Sequence, residues 1–301
     1  MIASFEDLLR LVTGQVKRTI AVAMAEDEDI LEALCLAYSR GIADAVLVGN
    51  KTAILEMARK GSLDLSPFDI IQADSEQQSV SVAIQLVRQQ MANALMKGKC
   101  TTATLLKGVL DKEAGLRAGK LLSHLAAFTV PAYHKLLLMS DAAMNIAPDL
   151  AGKIAITENA VHTAHQLGIA QPRVAIIAAV EKVNHDSMPC TVDAAALAQM
   201  GARGQIKGAI IDGPLAVDNA VCRRACEVKG ISSEVGGEAD ILIMPDIEAA
   251  NVFYKTMTYL GGSRTAGIIV GAQCPVILTS RADSEETKFY SIALAMATGA
   301  R

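Results

Sequence analysis

Short apolar segments alternate with longer amphipathic segments along nearly the whole chain, and this alternation restricts the fold more than any other feature. The apolar segment 19–25 precedes a segment with acidic residues in its first turn and Gly41 at its end, which is typical of a helix. The same reasoning predicts further strands at 43–49, 68–74, 173–180, 208–213 and 240–245. Such alternation predicts an α/β fold with mostly parallel sheets that are covered by helices.

Three stretches between these strands have their own predictions. Residues 75–98 are predicted as one long helix, and residues 214–230 as a helix with Pro214 in its first turn. The pattern changes between 123 and 149, where two apolar runs predict a hairpin or a crossing between domains. A chain of 301 residues can bury two cores. We therefore predict two α/β domains, formed by 1–130 with 281–301 and by 131–280.

Composition excludes several classes of protein. The net charge of −4 and the pI near 5.8 argue against a nucleic-acid partner, which would favour a basic face. The six cysteines form no CxxC pair, as expected for reduced thiols in a cytoplasmic protein. Acidic residues at 6 and 7 interrupt any signal-peptide pattern, and no uncharged stretch reaches the ~20 residues that span a bilayer. The sequence thus predicts a cytoplasmic protein with no membrane partner.

Polar residues follow three of the predicted strands, where ligands of open α/β sheets bind. Asp212 and Asp246 each stand at a predicted strand end, and Asn251 and Lys255 lie on one face of the helix after Asp246. Each carboxylate has a second interpretation as a turn or helix-capping residue. The third strand end is the segment 280–284, which follows the apolar stretch 265–280, predicted as one or two strands.

That third strand end carries Ser280 and Arg281 directly after an apolar run. An arginine beside a hydroxyl and a helix start has the parts of a phosphate or carboxylate clamp. No P-loop is present, no GxGxxG follows the first strand, and the histidines form neither a metal motif nor a catalytic triad. We therefore predict an anion site without a metal.

The segment 238–295 resembles the C-terminal signature of the phosphate acetyl/butyryltransferases. Supporting similarity lies in 136–150, 179–197 and 203–221. Segments 130–150 and 181–195 are more similar to the butyryl branch than to the acetyl branch. The resemblance implies an isocitrate- or isopropylmalate-dehydrogenase-like architecture, with a cleft between two domains and a homo-oligomer of two subunits or multiples of two. It also implies transfer of a short acyl group, butyryl first, between coenzyme A and phosphate. No cofactor and no covalent acyl-enzyme are expected.

The resemblance also suggests roles for individual residues. Ser280 supplies a hydroxyl donor and Arg281 clamps phosphate. In the acetyl enzymes the general base is an Asp one to two helical turns further on, where this chain has Thr287. Asp283 and Glu286 are the nearby carboxylates, and we place Asp283 first.

Substrate binding is assigned on the same basis to a second set of residues. It comprises Asn251, Lys255, Asp212, Asp246 and a cleft arginine of the first domain, Arg117. The substrates implied are acyl-CoA, phosphate and acyl phosphate. Three alternatives stay open: a phosphate acetyltransferase, a non-catalytic acyl-CoA-binding module of the same fold, and, last, a hydroxy-acid dehydrogenase. The dehydrogenase would need grouped Asp ligands and an NAD-recognition segment.

Overall fold

The computed structural model describes residues 2–119, 121–279 and 283–299, and the chain forms two compact units. The terminal unit combines Phe5–Lys120 with Ala266–Arg301, and the central unit combines Met1–Ser4 with Leu121–Thr265. Both units contain helices and mostly parallel strands, which confirms the predicted α/β class.

In the terminal unit, five parallel strands follow one another in the order β3-β2-β1-β4-β11, and β10 pairs antiparallel with β11. Numbered in chain order, the strands are β1 (Arg18–Ala23), β2 (Ala43–Gly49), β3 (Asp69–Gln72), β4 (Ala94–Lys97), β10 (Arg264–Val270) and β11 (Val276–Ile277). The helices are α1 (Phe5–Val12), α2 (Glu28–Ser39), α3 (Lys51–Lys60), α4 (Glu76–Arg88), α5 (Thr102–Val109) and α11 (Glu285–Thr298).

Side-chain caps decide where several of these helices begin. Asp27 accepts a hydrogen bond from the N–H of Ile30 at the start of α2. Thr101 does the same for the N–H of Thr104 at the start of α5. A cap of this kind is worth ~1 kcal/mol, because it pairs a backbone donor that the helix leaves unused.

The predicted helix over 75–98 is wrong in its second half. Helix α4 ends at Arg88, and Gln90 has a φ of 58°, which reverses the chain into β4. All four residues of β4 are buried, because the strand lies between β1 and β11. A short apolar run cannot be assigned to helix or strand from periodicity alone, so the pairing partners decide.

Helix α11 is buried on nearly all sides within the terminal unit. Phe5 of α1 stacks on its Tyr290 with the ring centres 4.3 Å apart, and Ser291 accepts a hydrogen bond from the N–H of Gly267. Despite such apolar helices, none in the described ranges is long and apolar enough to cross a membrane.

In the central unit, the strand order is β5-β6-β9-β7-β8. The strands are β5 (Ser123–Thr129), β6 (Leu136–Ser140), β7 (Arg173–Ile177), β8 (Ile210–Leu215) and β9 (Ile241–Ile243). The helices are α6 (Leu150–Gln166), α7 (Cys190–Ala202), α8 (Val217–Val221), α9 (Arg223–Lys229) and α10 (Ile247–Tyr259). Strands β5 and β6 pair antiparallel as a hairpin, which is one of the two alternatives predicted for 123–149, and the other neighbours are parallel.

Strand β8 continues beyond its predicted end. It was expected to stop at residue 213, with a helix from Pro214 to residue 230, but the strand runs through Pro214 to Leu215. Proline lacks a backbone donor and is tolerated in a strand at the edge of a sheet, which is where β8 lies. The predicted helix is divided into α8 and α9 at Cys222.

The two units begin and end at other positions than the predicted domains, 1–130 with 281–301 and 131–280. Residues 121–130 contain β5, which pairs with β6 of the central unit. Residues 266–280 contain β11, which pairs with β4 of the terminal unit. We therefore propose domain limits after residues 120 and 265.

A buried ion pair stabilises the central unit. The Lys135 ammonium lies 3.1 Å from an Asp240 oxygen and 3.3 Å from a Glu238 oxygen, and the side chains of Lys135 and Asp240 are 3% and 8% exposed. The other Asp240 oxygen accepts the backbone N–H of Arg173. Both charges therefore depend on the contact, because both side chains are almost completely shielded from solvent.

Replacing Lys135 by Met is expected to lower the free energy of unfolding by ~3–5 kcal/mol, because Asp240 is left buried without a cation. The urea midpoint of the variant measures the loss, and Lys207→Met is the control at an exposed lysine of the same unit. Equal midpoints for the two variants would contradict a stabilising role for the pair.

Candidate active site

The loop that follows β6 at its carboxyl end is held by one buried carboxylate. Asp141 is 4% exposed, and its Oδ1 accepts the backbone N–H groups of Ala143 (2.9 Å) and Met144 (3.0 Å). Its Oδ2 accepts the backbone N–H and the side-chain amide of Asn145, and this amide also donates to the Leu122 carbonyl. With four donors on its two oxygens, Asp141 fixes the shape of the loop.

Helix α10 starts after the carboxyl end of β9, is capped by one predicted site residue and carries two others. Asp246 caps the helix by accepting the N–H of Ala249 at 2.8 Å, so the capping interpretation describes what its side chain does here. The amide of Asn251 donates to the Ala142 carbonyl at 3.2 Å, in the loop after β6. Asn251 therefore joins the ends of two neighbouring parallel strands, β6 and β9.

Lys255 lies one helical turn beyond Asn251 on α10, as the spacing predicts. Its ammonium is 5.4 Å from the ring centre of Tyr254 and 5.7 Å from that of Tyr259. Aromatic rings at this distance attract a cation by ~0.5–1 kcal/mol. The Lys255 ammonium thus lies near two aromatic rings, on the same face of α10 as Asn251.

Asp212 does not lie at a strand end as Asp141 and Asp246 do. Its Cα lies opposite Ala175 in the middle of β7, and its Oδ1 accepts the N–H of Gly213 at 2.8 Å. Leu215, the last residue of β8, lies about 10 Å further on at a rise of ~3.3 Å per residue. Together with Arg173, Asp212 lines a cavity of about 1020 Å³. The prediction that Asp212 stands at a strand end is therefore wrong.

In the terminal unit, β11 runs parallel to β4 and leads toward the predicted catalytic pair. Ile277, at the end of β11, lies opposite Met96, so both strands end at the same edge of the sheet. Two residues after the strand, Thr279 is buried at 6% exposure. Ser280 and Arg281 come next in the sequence and lie outside the described residues.

The start of α11 distinguishes the two candidate bases. Ser284 is the capping residue, and its Oγ accepts the N–H of Thr287 at 3.2 Å. Asp283 is half-buried, and its backbone carbonyl accepts the Lys288 ammonium at 3.1 Å. Glu286 is exposed in the first turn of the helix. The two carboxylates thus differ in their exposure to water.

Arg117 is fixed beside the connection between β10 and β11. Its backbone forms an isolated antiparallel bridge with Ala272, and its carbonyl accepts the side-chain amide of Gln273 at 3.1 Å. The Arg117 side chain is exposed. The backbone of this predicted cleft arginine is therefore tied to the connection that leads into β11.

Two buried charged residues at strand ends were missed in the sequence. Lys97 is the last residue of β4 and is 8% exposed, but the segment 75–98 was predicted as a helix. Asp141 follows the apolar run of β6 directly, and this change from apolar to charged is the signal that could have found it. Within the described ranges, no three His, Cys, Asp or Glu side chains gather to hold a metal ion.

Comparison with known proteins gives the same family over the whole chain. The family model described as phosphate acetyl/butaryl transferase matches residues 73–296. A phosphate butyryltransferase from Clostridium beijerinckii is 50% identical over 301 residues, which cover 100% of this chain and 99% of that protein. A phosphate acetyltransferase from Thermotoga maritima is 42% identical over 289 residues, 96% of this chain and 97% of that protein. The crystal structure of a branched-chain phosphotransacylase from Enterococcus faecalis V583 has 33% sequence identity and a TM-score of 0.83, and the match covers 93% of this chain and 98% of that one.

The structure defines an α/β protein with polar residues at the carboxyl ends of its parallel strands, the edge where ligands of open α/β sheets bind. The family model spans most of the chain, and the relatives match it nearly from end to end. The chain belongs to the phosphate acetyl/butaryl transferase family, whose members are acyltransferases. The resemblance predicted from segment 238–295 is thereby confirmed.

Proposed function

We propose that this protein catalyses the reversible transfer of a short acyl group, butyryl in the first place, between coenzyme A and inorganic phosphate. The observation that carries this proposal is the 50% identity over 301 residues with a phosphate butyryltransferase. The substrates are acyl-CoA and phosphate in one direction, and acyl phosphate and CoA in the other.

The transfer proceeds by direct attack. In the direction of acyl-CoA synthesis, a base takes the thiol proton of CoA, the sulfur forms a bond to the acyl carbon, and the bond from that carbon to the phosphate oxygen breaks. Burial raises the pKa of the Cys100 thiol to about 11 and that of Cys274 to about 12. Both thiols are therefore protonated near neutral pH, so neither of these two cysteines is activated as an acyl acceptor.

Four of the predicted residues have separate roles in the binding of the reacting groups. Ser280 donates to the oxyanion that develops on the acyl oxygen, and Arg281 binds the leaving phosphate, since fixed donors are worth most where charge develops. Asn251 and Lys255 bind substrate from one face of α10. Asp246, Asp212 and Arg117 stay predictions as substrate-binding residues, and Asp212 has the weakest support because it lies in mid-strand.

The general base is proposed to be Asp283, with Glu286 as the second candidate. A base must take up the thiol proton and later release it without competition from bulk water in the reacting complex. Asp283 is half-buried, and its backbone is held by Lys288, whereas Glu286 is exposed. This difference supports Asp283.

The acyl preference is the finer part of the proposal, and a phosphate acetyltransferase is the second candidate. A relative of that name at 42% identity favours it. Release of free thiol from acetyl-, propionyl-, butyryl- and valeryl-CoA, each with and without phosphate and in EDTA, separates the two. We expect the highest kcat/KM with butyryl-CoA. A maximum at acetyl-CoA would favour the second candidate, and CoA binding without release would indicate a non-catalytic acyl-CoA-binding module.

Four further features belong to the proposal on the strength of the sequence resemblance. They are an isocitrate- or isopropylmalate-dehydrogenase-like architecture with a cleft between two domains, a homo-oligomer, a cytoplasmic location, and catalysis without a metal or other cofactor. Full activity in EDTA supports the last of these, and a loss that added divalent cation restores would contradict it. Sedimentation of the purified protein measures the number of subunits.

A further inference from the structure

Lys97 is a buried cation at the carboxyl edge of the terminal unit's sheet. It ends β4, which lies between β1 and β11, and only 8% of the residue is exposed. Its ammonium donates to the carbonyl of Gly98 at 3.0 Å and to that of Cys100 at 3.2 Å. An ammonium has three donors, so these two carbonyls leave one donor for a further acceptor.

Within the described part of the chain, no carboxylate contacts the Lys97 ammonium directly. Among the residues that the structure describes, no Asp or Glu oxygen forms an ion pair with Lys97, whose hydrogen-bond acceptors are both neutral. The pKa of Glu76 is lowered chiefly by the hydrogen bond from the Thr101 backbone N–H to its carboxylate. The charge of Lys97 also lowers the pKa of Glu76, but it is the smallest of the causes. Burial of an unpaired charge costs several kcal/mol, which an anionic ligand would offset.

The place of Lys97 in the sheet indicates which anion this is. Met96 lies opposite Ile277, so Lys97 comes level with the point where β11 ends. From there the chain continues through Thr279 to Ser280 and Arg281, the residues proposed to bind the reacting groups. An exposed lysine with the same charge, Lys99, stands two positions further along the same loop and offers a matched control.

We propose that Lys97 binds a phosphate oxygen of the transferred group, as inorganic phosphate in one direction and as the phosphoryl part of acyl phosphate in the other. This inference rests on the proposed function. The ammonium holds the phosphate beside the acyl carbon and stabilises the negative charge that phosphate gains as the bond to that carbon breaks. Lys97 is then a further catalytic residue.

The test compares Lys97→Gln, Lys97→Met, Lys97→Arg and Lys99→Gln with the wild type. We expect the dissociation constant of inorganic phosphate and the KM for phosphate to rise about 10- to 100-fold in the Gln and Met variants, as for loss of a hydrogen bond to a charged group. The KM for butyryl-CoA should stay unchanged. Lys97→Arg should keep part of the affinity, and Lys99→Gln should match the wild type.

Three results would overturn the proposal. One is a KM for phosphate within twofold of wild type in both neutral variants, with a lower melting temperature, because Lys97 would then only hold its loop. The second is a rise in the KM for butyryl-CoA and in the dissociation constant of desulfo-CoA, while the KM and the dissociation constant of inorganic phosphate stay unchanged. This result would assign Lys97 to a phosphate group of CoA. The third is an equal effect of Lys99→Gln. Phosphate titration by calorimetry tests this inference, whereas thiol release tests the proposed function, so each can fail separately.

Discussion

Replacing Arg281 by Ala is expected to lower kcat/KM for phosphate by about 10²–10³-fold, as does loss of one group that stabilises charge in a transition state. The guanidinium can hold two phosphate oxygens at once and keeps its charge at any working pH. Lysine carries the same charge but cannot donate two parallel hydrogen bonds to phosphate, so Arg281→Lys should recover only part of the rate.

The control for this prediction is Arg59→Ala, at an exposed arginine near the end of α3 in the same unit. It should leave both kcat and the KM for phosphate unchanged. Phosphate kinetics close to wild type in Arg281→Ala would remove this residue from the site, and with it the interpretation of segment 280–284 as an anion clamp.

Removal of the general base is the second large effect. We expect Asp283→Asn to lower kcat by about 10²–10⁴-fold, the usual contribution of a positioned base. The variant should also lose the acid limb of its pH–rate profile, since the amide that replaces the proposed base does not take up a proton. Glu286→Gln is the matched control, a carboxylate three positions away that is exposed on the first turn of α11.

The reverse pattern, with Glu286→Gln inactive and Asp283→Asn close to wild type, would move the base to Glu286. Two active variants would show that the base lies elsewhere in the protein. Ser284→Ala separates either result from a disturbed helix start, because Ser284 caps α11 through the N–H of Thr287. Loss of that cap should cost ~1 kcal/mol of stability and leave the pH–rate profile unchanged.

The sequence predicted the features that depend on local pattern. Apolar runs of strand length, acidic first turns and capping residues gave the α/β class and most of the elements. The hairpin of β5 and β6 was also visible as two apolar runs around a proline. These features were accessible because each is decided within a few residues of the chain.

Features that depend on distant partners were missed. Residues 94–97 form a strand because β1 and β11 lie on either side, and β11 comes nearly 180 residues later in the chain. Asp212 was placed at a strand end because Pro214 favours a helix start, whereas an edge strand accepts that proline. Lys97 was missed because its burial depends on β4, a strand that the sequence did not reveal.

The most direct test of the central claim is phosphorus NMR of the purified wild-type protein with butyryl-CoA and inorganic phosphate in EDTA. The account predicts that butyryl phosphate appears, with one molecule formed for each CoA thiol released, and that added CoA reverses the reaction. Thiol release that yields butyrate without butyryl phosphate would make the protein a thioesterase. No release with any acyl-CoA would contradict the assignment as an acyltransferase.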